Sequence, residues 1–494
     1  MTIACVVKNG KLVIPQYGIL EADIGIDGEK IVQVGRDIST QGKVIDAKGK
    51  YVFPGCIDTH THYGHFNEFY DEMESESKCM AFTGVTTSVV LLDRCIKNME
   101  GWKEKTNDPE LFANFPGMSH PLWKASHKKI LPEAIRKSEK VSTNDFAFHL
   151  LIGNNEQIEE IPDYHRDFGV ASFKFWTGLG GPAALTPPQM WSLFRKCGQE
   201  GVLPYVNTVN SALQDQITRE VEDLAKTDQR LRGPISVKRS RPAIVETLDL
   251  QTTLWLAKEI GAQKLLVAHT VSKDSVKLIR HYRNQYGLNV MGEACVAWLS
   301  LWWPEVEEKL GYIATSITPQ IGDQEDADSL WEGIRTGEIR CIGTDGMVPP
   351  RERYCDGKPN PTFQPAPTKD RPGLGFPSHM CLFPIVLHMG MEKGFSPVEV
   401  AEISSYNPAK VMQLFPKKGT IAVGSDADLV IMDLGKRHIL RREELHSVSP
   451  FCPWDGWELN CWPMLTMLRG QVIFEDGKLI KEKTGKYLSR HPGQ

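Results

Sequence analysis

The chain lacks any run near the roughly 18 consecutive apolar residues that a membrane-crossing helix needs, so no membrane is an expected partner. It lacks blocks of one charge. Fifty-seven Lys and Arg stand against 62 Asp and Glu, interspersed, for a net charge of -5. No nucleic acid is expected to bind such a surface. The 11 cysteines are scattered, odd in number and never spaced CxxC. They read as reduced, buried thiols rather than a disulfide framework, and point to a cytoplasmic protein. The opening MTIACVVKNGKLV has no basic-then-apolar leader, which gives the same expectation. Low-complexity tracts and repeats are absent. What is present is 494 residues, 41% hydrophobic and 24% charged. That is ordinary globular composition with material for a large core, and a length that barrels with insertions reach.

One stretch organises the rest: Tyr51 to His62, YVFPGCIDTHTH. Tyr51-Val52-Phe53 reads as a strand, Pro54-Gly55 breaks it, and Cys56-Ile57 resumes it. Side chains of an extended segment alternate between faces. Asp58, His60 and His62 therefore project to one side, with Thr59 and Thr61 on the other. Two imidazoles at a strand end can grip one ion of zinc, iron, nickel or manganese. An isolated HxH pair is better read as two surface histidines. The PG break and the Asp favour the metal.

Both ends of the chain consist of short β segments with tight turns. Asn9-Gly10 predicts a hairpin between Ile3–Lys8 and Lys11–Ile14, and Asp27-Gly28 another between Ala22–Ile26 and Lys30–Val34. Matching strands stand near 420, 429–432 and 472–474. Residues 1–50 and 417–494 are expected to form one β-sandwich domain, with 51–416 inserted as a catalytic domain. That middle alternates strands with helices, the pattern of a parallel α/β sheet. Candidate strands are Tyr51–Asp58, Val85–Asp93, Phe146–Gly153, Ala171–Phe175, Val202–Asn207, Leu265–His269, Leu288–Glu293 and Ile339–Asp345. Eight is the count of a closed (β/α)₈ TIM barrel. Helices are predicted after Thr186-Pro187 up to Gly201, and after Ser272 up to Gly287. A third starts at Ser396-Pro397.

Barrel active sites form at the C-terminal ends of the strands. Those ends carry Asp58, His60 and His62; Ser172-Phe173-Lys174; Asn207; His269; and Thr344-Asp345. Each has a plainer reading alone: a rim histidine, a snorkelling lysine, a turn-capping aspartate. Their placement on one rim argues for a metal centre.

These motifs resemble the amidohydrolase superfamily, and within it the dihydropyrimidinase/hydantoinase group of cyclic amidohydrolases. The resemblance rests on PGCIDTHTH (54–62), GVTT (84–87), SFKFW (172–176), RPAIVE (241–246), the His269 strand, GTD (343–345), NPAKVMQLFP (407–416) and GTIAVGSDADLVIMD (419–433). It covers essentially the whole chain. It implies a divalent metal centre, usually zinc, of one or two ions per subunit. His60, His62 and Asp345 would hold one ion. Lys174 would be N-carboxylated by CO2 and bridge two ions, and His269 would belong to the second. Metal-activated hydroxide would attack the carbonyl, with Asp345 as general base and then acid. The resemblance also implies a homotetramer or homodimer, with the tail after Gly470 a candidate interface element.

The chain departs from that group at several places. Asn207, in Asn-Thr-Val-Asn, replaces the strand-five histidine of a His-Ala-Glu-Asn run, and an amide oxygen is a weaker zinc ligand than imidazole. Leu179 stands where the group has an oxyanion-stabilising tyrosine. Asp345-Gly346-Met347-Val348 replaces Asp-His-Ala-Pro, and Pro377-Ser378-His379-Met380 replaces Pro-Gly-x-Glu. The expected substrate-facing residues are Trp176, Leu179, Arg351, Arg353 and His379. The two arginines could clamp a carboxylate beside Tyr354. His65 and His149 are further candidate donors, and Trp302 and Trp303 a candidate apolar wall.

The expected activity is hydrolysis of the C–N bond of an amide, favouring a cyclic amide, imide or lactam as small-molecule substrate. Two alternatives stand beside it. One is a hydrolase of a linear N-acyl compound or a lactone in the same superfamily. The other is a non-catalytic dihydropyrimidinase-like scaffold, against which retention of His60, His62, Lys174, His269 and Asp345 argues.

Overall fold

The structure is a computed structural model that describes residues 3–92, 126–178, 184–349 and 375–491, with short strands at 354–355 and 358–359. Two sheets dominate it. The first draws on both ends of the chain. Its N-terminal strands are β1 (Cys5–Ile14), β2 (Gly18–Asp27), β3 (Lys30–Gly35), β4 (Lys43–Asp46) and β5 (Tyr51–Pro54). From one edge it runs Lys478–Leu479, Gln471–Glu475, Trp462–Leu468, Leu429–Asp433, β5, β1, β2, β3, with β4 alongside β1. Most pairs are antiparallel. One buried cluster joins residues from both ends of the chain, Val7, Ile24 and Val52 with Leu429, Ile431 and Met467.

Asn9-Gly10 is not the expected hairpin turn. β1 runs through it, and the register against β2 slips between Val7 and Gly10, a bulge. Asn9 takes the left-handed conformation at φ 57 that either a turn or a bulge can use. Long-range contacts select the bulge: Asn9 donates from its backbone to Asp23 and from its side chain to Asp46. Gly10 lies so close to β5 that a Cβ would come within 2.7 Å of Val52 Cγ2. The real turn follows Ile14. The Asp27-Gly28 hairpin forms as expected, with Gly28 at φ 56.

The second sheet has eight strands in sequence order: β6 (Cys56–Thr61), β7 (Val85–Leu92), β8 (Asp145–Leu151), β9 (Ser172–Trp176), β10 (Leu203–Asn207), β11 (Leu265–Val267), β12 (Val290–Cys295) and β13 (Ile339–Gly343). All neighbouring pairs are parallel. The expected first strand divides. Tyr51–Pro54 pairs with Leu429–Asp433 in the terminal sheet, and only Cys56 onward enters the barrel. Pro54 offers no N–H to a ladder. Gly55 donates to Asp428 O at 2.9 Å and passes so near Thr86 that a Cβ would fall 2.0 Å from its Oγ1.

β6 and β13 close the circle by a seam rather than a full ladder. His60 O accepts from Thr344 N at 3.1 Å and Asp345 N at 2.7 Å, and His62 N donates to Gly346 O at 3.0 Å. Asp58 reinforces it, accepting from Thr344 N at 3.0 Å and Thr344 Oγ1 at 2.7 Å. The seam lies at the rim where the candidate ligands stand.

Helices follow their caps. Pro187–Glu200 starts in a capping box of Thr186 and Gln189 and ends at left-handed Gly201. Lys273–Tyr286 starts at Ser272 and ends at left-handed Gly287. Ser396 caps Pro397–Ala401. The C-terminal tail turns back under its own barrel. Leu488 N donates to Phe146 O at 2.7 Å, and Arg490 reaches Phe148 O and Ser172 Oγ from a buried position. No helix among the described residues is long and apolar enough to cross a membrane.

Candidate metal centre

His60 and His62 leave β6 on one face, as the two-residue period requires. Asp345 follows β13, and Lys174 sits within β9. The structure brings all four together. Lys174 Nζ is 2.6 Å from His60 Nε2. His62 Nε2 is 3.2 Å from His60 Nε2 and 2.9 Å from Asp345 Oδ1, and that oxygen is 3.2 Å from His60 Nε2. All four side chains are buried. Two imidazole nitrogens facing each other at this distance repel unless a cation or a proton lies between them.

The site fits a divalent ion. The ligand atoms of His60, His62 and Asp345 lie within 4.8 Å of one another. Among the described residues, Asn207 Oδ1 and His269 Nδ1 are buried without a hydrogen-bond partner. The His269 ring stacks against His60 at 5.8 Å between centroids, and Trp298 lies 5.9 Å from it. His269 and Asp345 hold positive φ, 28 and 49, the uncommon conformation for a side-chain-bearing residue. Strain of this kind collects where function demands a fixed direction.

Burial alone would raise the Asp345 carboxyl, but the charges of His60 and His62 outweigh it and hold it far below the usual carboxylate range. Burial, helped by the charge of Lys174, pushes His60 well down. Burial likewise lowers His269 to about 4 despite the opposing charge of Asp345, with Lys174 adding to the drop. These directions favour an anionic Asp345 and neutral His60 and His269, the protonation states of metal ligands.

Glu293, inside β12, was not anticipated. Its carboxylate is fully buried beneath the ligands and meets Thr59, His60, Tyr205 and His269. A lone carboxylate inside the apolar run LNVMGEACV was the available signal. Tyr205, inside β10, was likewise not anticipated, and its hydroxyl is 2.8 Å from His60 Nδ1. Glu246 of RPAIVE accepts, at 3.4 Å each, from the N–H groups of Val271 and Ser272 just after His269.

The other candidates divide. His65 stands edge-on to His62 at 4.8 Å between centroids. Trp176 is buried and is the ladder partner of Asn207. His149 does not reach the rim: it lies inside the barrel, bonded to Thr59 O at 2.9 Å, and burial lowers it to about 3. His379 is fully buried, bonded through Nε2 to Glu76, with Nδ1 packed against Gly346. Trp303 is buried in a large apolar cluster and Trp302 packs on it, so both serve as core. Leu179, Arg351 and Arg353 lie outside the described residues.

A parallel eight-stranded barrel with His60, His62, Lys174 and Asp345 gathered at one rim has the arrangement of a metal-dependent barrel hydrolase. Comparison with known proteins places it further. Residues 325–473 match the Amidohydrolase family. The chain is 28% identical over 498 residues to a D-hydantoinase of Ralstonia pickettii, covering 98% of each. It is 26% identical to an allantoinase of Rubrobacter xylanophilus, covering 98% of this chain and 97% of that one. It is similar in structure to a dihydropyrimidinase from Brevibacillus agri, with a TM-score of 0.82, 25% identity and 98% of each chain covered. These likenesses support a hydantoinase-like assignment within the amidohydrolase superfamily.

Proposed function

We propose that this protein hydrolyses a C–N bond within a cyclic amide, imide or lactam. The observation that carries this reading is the convergence of His60, His62, Lys174 and Asp345 at the rim of a hydantoinase-like barrel. His60, His62 and Asp345 would hold a divalent ion, proposed as zinc. Lys174, as its CO2 carbamate, would join His269 and Asn207 around a second. When bound, such an ion lowers the pKa of water toward about 7 and polarises a carbonyl.

The chain's own groups supply the proton path and the surroundings. Asp345 is held as carboxylate by its neighbours, the ionised form that taking the proton of the attacking water requires. The same Asp345 then delivers that proton to the leaving ring nitrogen. Trp298 and Trp176 are buried beside the ligands and limit bulk water. Ser378 and His379 replace residues that recognise a cyclic diamide in the group the chain resembles, which supports a substrate other than a simple hydantoin. Asn207 favours one tightly held ion over two. A homotetramer or homodimer and a cytoplasmic location complete the proposal, on the resemblance and the reduced-thiol composition.

The test is a substrate panel of hydantoins, dihydropyrimidines, allantoin, lactams, N-acyl amino acids and lactones, with metal-replete protein. Turnover of a cyclic amide supports the reading. Turnover confined to linear N-acyl compounds or lactones replaces the substrate class, and turnover of nothing favours a scaffold.

A further inference from the structure

Beneath the ligand cluster, Glu293 carries no role in the reaction above. Its surroundings are unusual for a carboxylate at the centre of a barrel. Thr59 Oγ1 donates to Oε1 at 2.5 Å. Oε2 lies 3.0 Å from His60 Nδ1, accepts from the Tyr205 hydroxyl, and accepts from His269 N at 3.2 Å. The Glu293 carbonyl takes the next amide, Thr270 N, at 2.8 Å. One residue of β12 therefore grips β6, β10 and the turn after β11.

Two consequences follow. The first concerns the tautomer of His60. Its Nδ1 has two oxygen neighbours, Glu293 Oε2 and the Tyr205 hydroxyl. The tyrosine's only proton goes to Glu293, so both oxygens face Nδ1 as acceptors. Nδ1 must carry the imidazole proton. Nε2 is left with its lone pair, directed at Lys174, His62 and Asp345. The second concerns His269. A side-chain-bearing residue at φ 28 needs its flanking amides held. Glu293 holds both, one with its side chain and one with its backbone.

We infer that Glu293 is a positioning residue of the metal centre, presenting His60 Nε2 and fixing the His269 turn, with Tyr205 pinning the carboxylate. The inference rests on the metal-centre reading of the rim. A carboxylate behind a ligating imidazole raises metal affinity by orienting the ring and increasing its basicity, and losing it typically costs about 10- to 100-fold.

The experiment is titration of chelator-stripped protein with zinc against a competing chelator, and with cobalt followed by its visible ligand-field spectrum. Glu293→Gln presents an amide nitrogen to donors and cannot accept from all four groups. It should weaken zinc binding about 10- to 100-fold and alter the cobalt spectrum, while the metal-free protein melts near the wild-type temperature. A merely structural residue would shift melting and leave the spectrum of the bound fraction unchanged. Tyr205→Phe should weaken zinc about threefold to tenfold, and carries the test if Glu293→Gln does not fold. Zinc affinity within threefold of wild type in the folded variants, with an unchanged spectrum, overturns the inference. Failure of the underlying reading looks different: wild type binds no zinc, or His60→Ala binds it as tightly as wild type.

Discussion

Lys174 Nζ lies 2.6 Å from His60 Nε2, inside a barrel rim where both side chains are buried. An amine in that position is buried away from bulk water and faces an imidazole proposed as a ligand. Carboxylation would exchange the amine for two oxygens that suit divalent cations. Lys174→Ala is expected to lower bound metal and to reduce turnover at least about 100-fold. Short carboxylic acids should restore part of the activity, because they return the missing oxygens. Full activity of the untreated variant would refute the role.

Asn207 offers a buried amide oxygen that has no hydrogen-bond partner among the described residues. Imidazole at this position is a stronger ligand for zinc. Asn207→His should raise metal stoichiometry per chain, measured by elemental analysis without chelators. A stoichiometry equal to wild type would mean that the residue does not face the second ion.

A different cation holds the barrel to the terminal sheet. Lys418 is buried, with Nζ 2.6 Å from Asp145, 2.7 Å from Asp428 and 3.0 Å from Asp426. Those carboxylates are spaced as if for a metal ion, and the ammonium takes its place. Lys418→Met leaves buried carboxylates short of a partner. It should cost about 3–5 kcal/mol, read from the urea midpoint. A loss under about 1 kcal/mol would show that Arg469, which also reaches Asp145, suffices alone.

Glu72 is buried against the His65 loop, accepting from Gly64 N at 2.5 Å and from Asn67. Burial raises its carboxyl from 4.5 to about 8. The folded state therefore keeps a proton that the unfolded chain has released. Stability from this group is full below about pH 4.5 and declines as pH rises toward 8. Glu72→Gln should flatten that decline, so its melting temperature gains on wild type at pH 8 but not at pH 5. Parallel curves for the two proteins across that range would exclude the group as the cause.

The barrel strands were legible because apolar runs, caps and turn glycines are local signals. Ser272 and Gly287, or Thr186 and Gly201, bound their helices without help from tertiary contacts. The candidate ligands were legible as a group because barrel sites form at the ends of the strands. Less visible was what depends on distant partners. Asn9-Gly10 satisfies a turn and a bulge equally, and only Asp23, Asp46 and Val52 decide between them. Pro54-Gly55 marked a break in the strand but not a change of sheet. Glu293 and Tyr205 sit mid-strand among apolar neighbours, where sequence cannot show that four groups from two other strands and the turn after a third meet one carboxylate. His149 was misplaced at the rim because its depth in the barrel depends on strand stagger.

The seam between β6 and β13 bears on how such a chain can change over generations. His60, His62 and Asp345 contribute main-chain atoms to it, and Asp58 and Thr344 add the side-chain support. The ligand side chains point elsewhere. A descendant could exchange all three for other residues and still close its barrel. Loss of chemistry is therefore uncoupled from loss of architecture, which leaves a ready route from enzyme to binding scaffold.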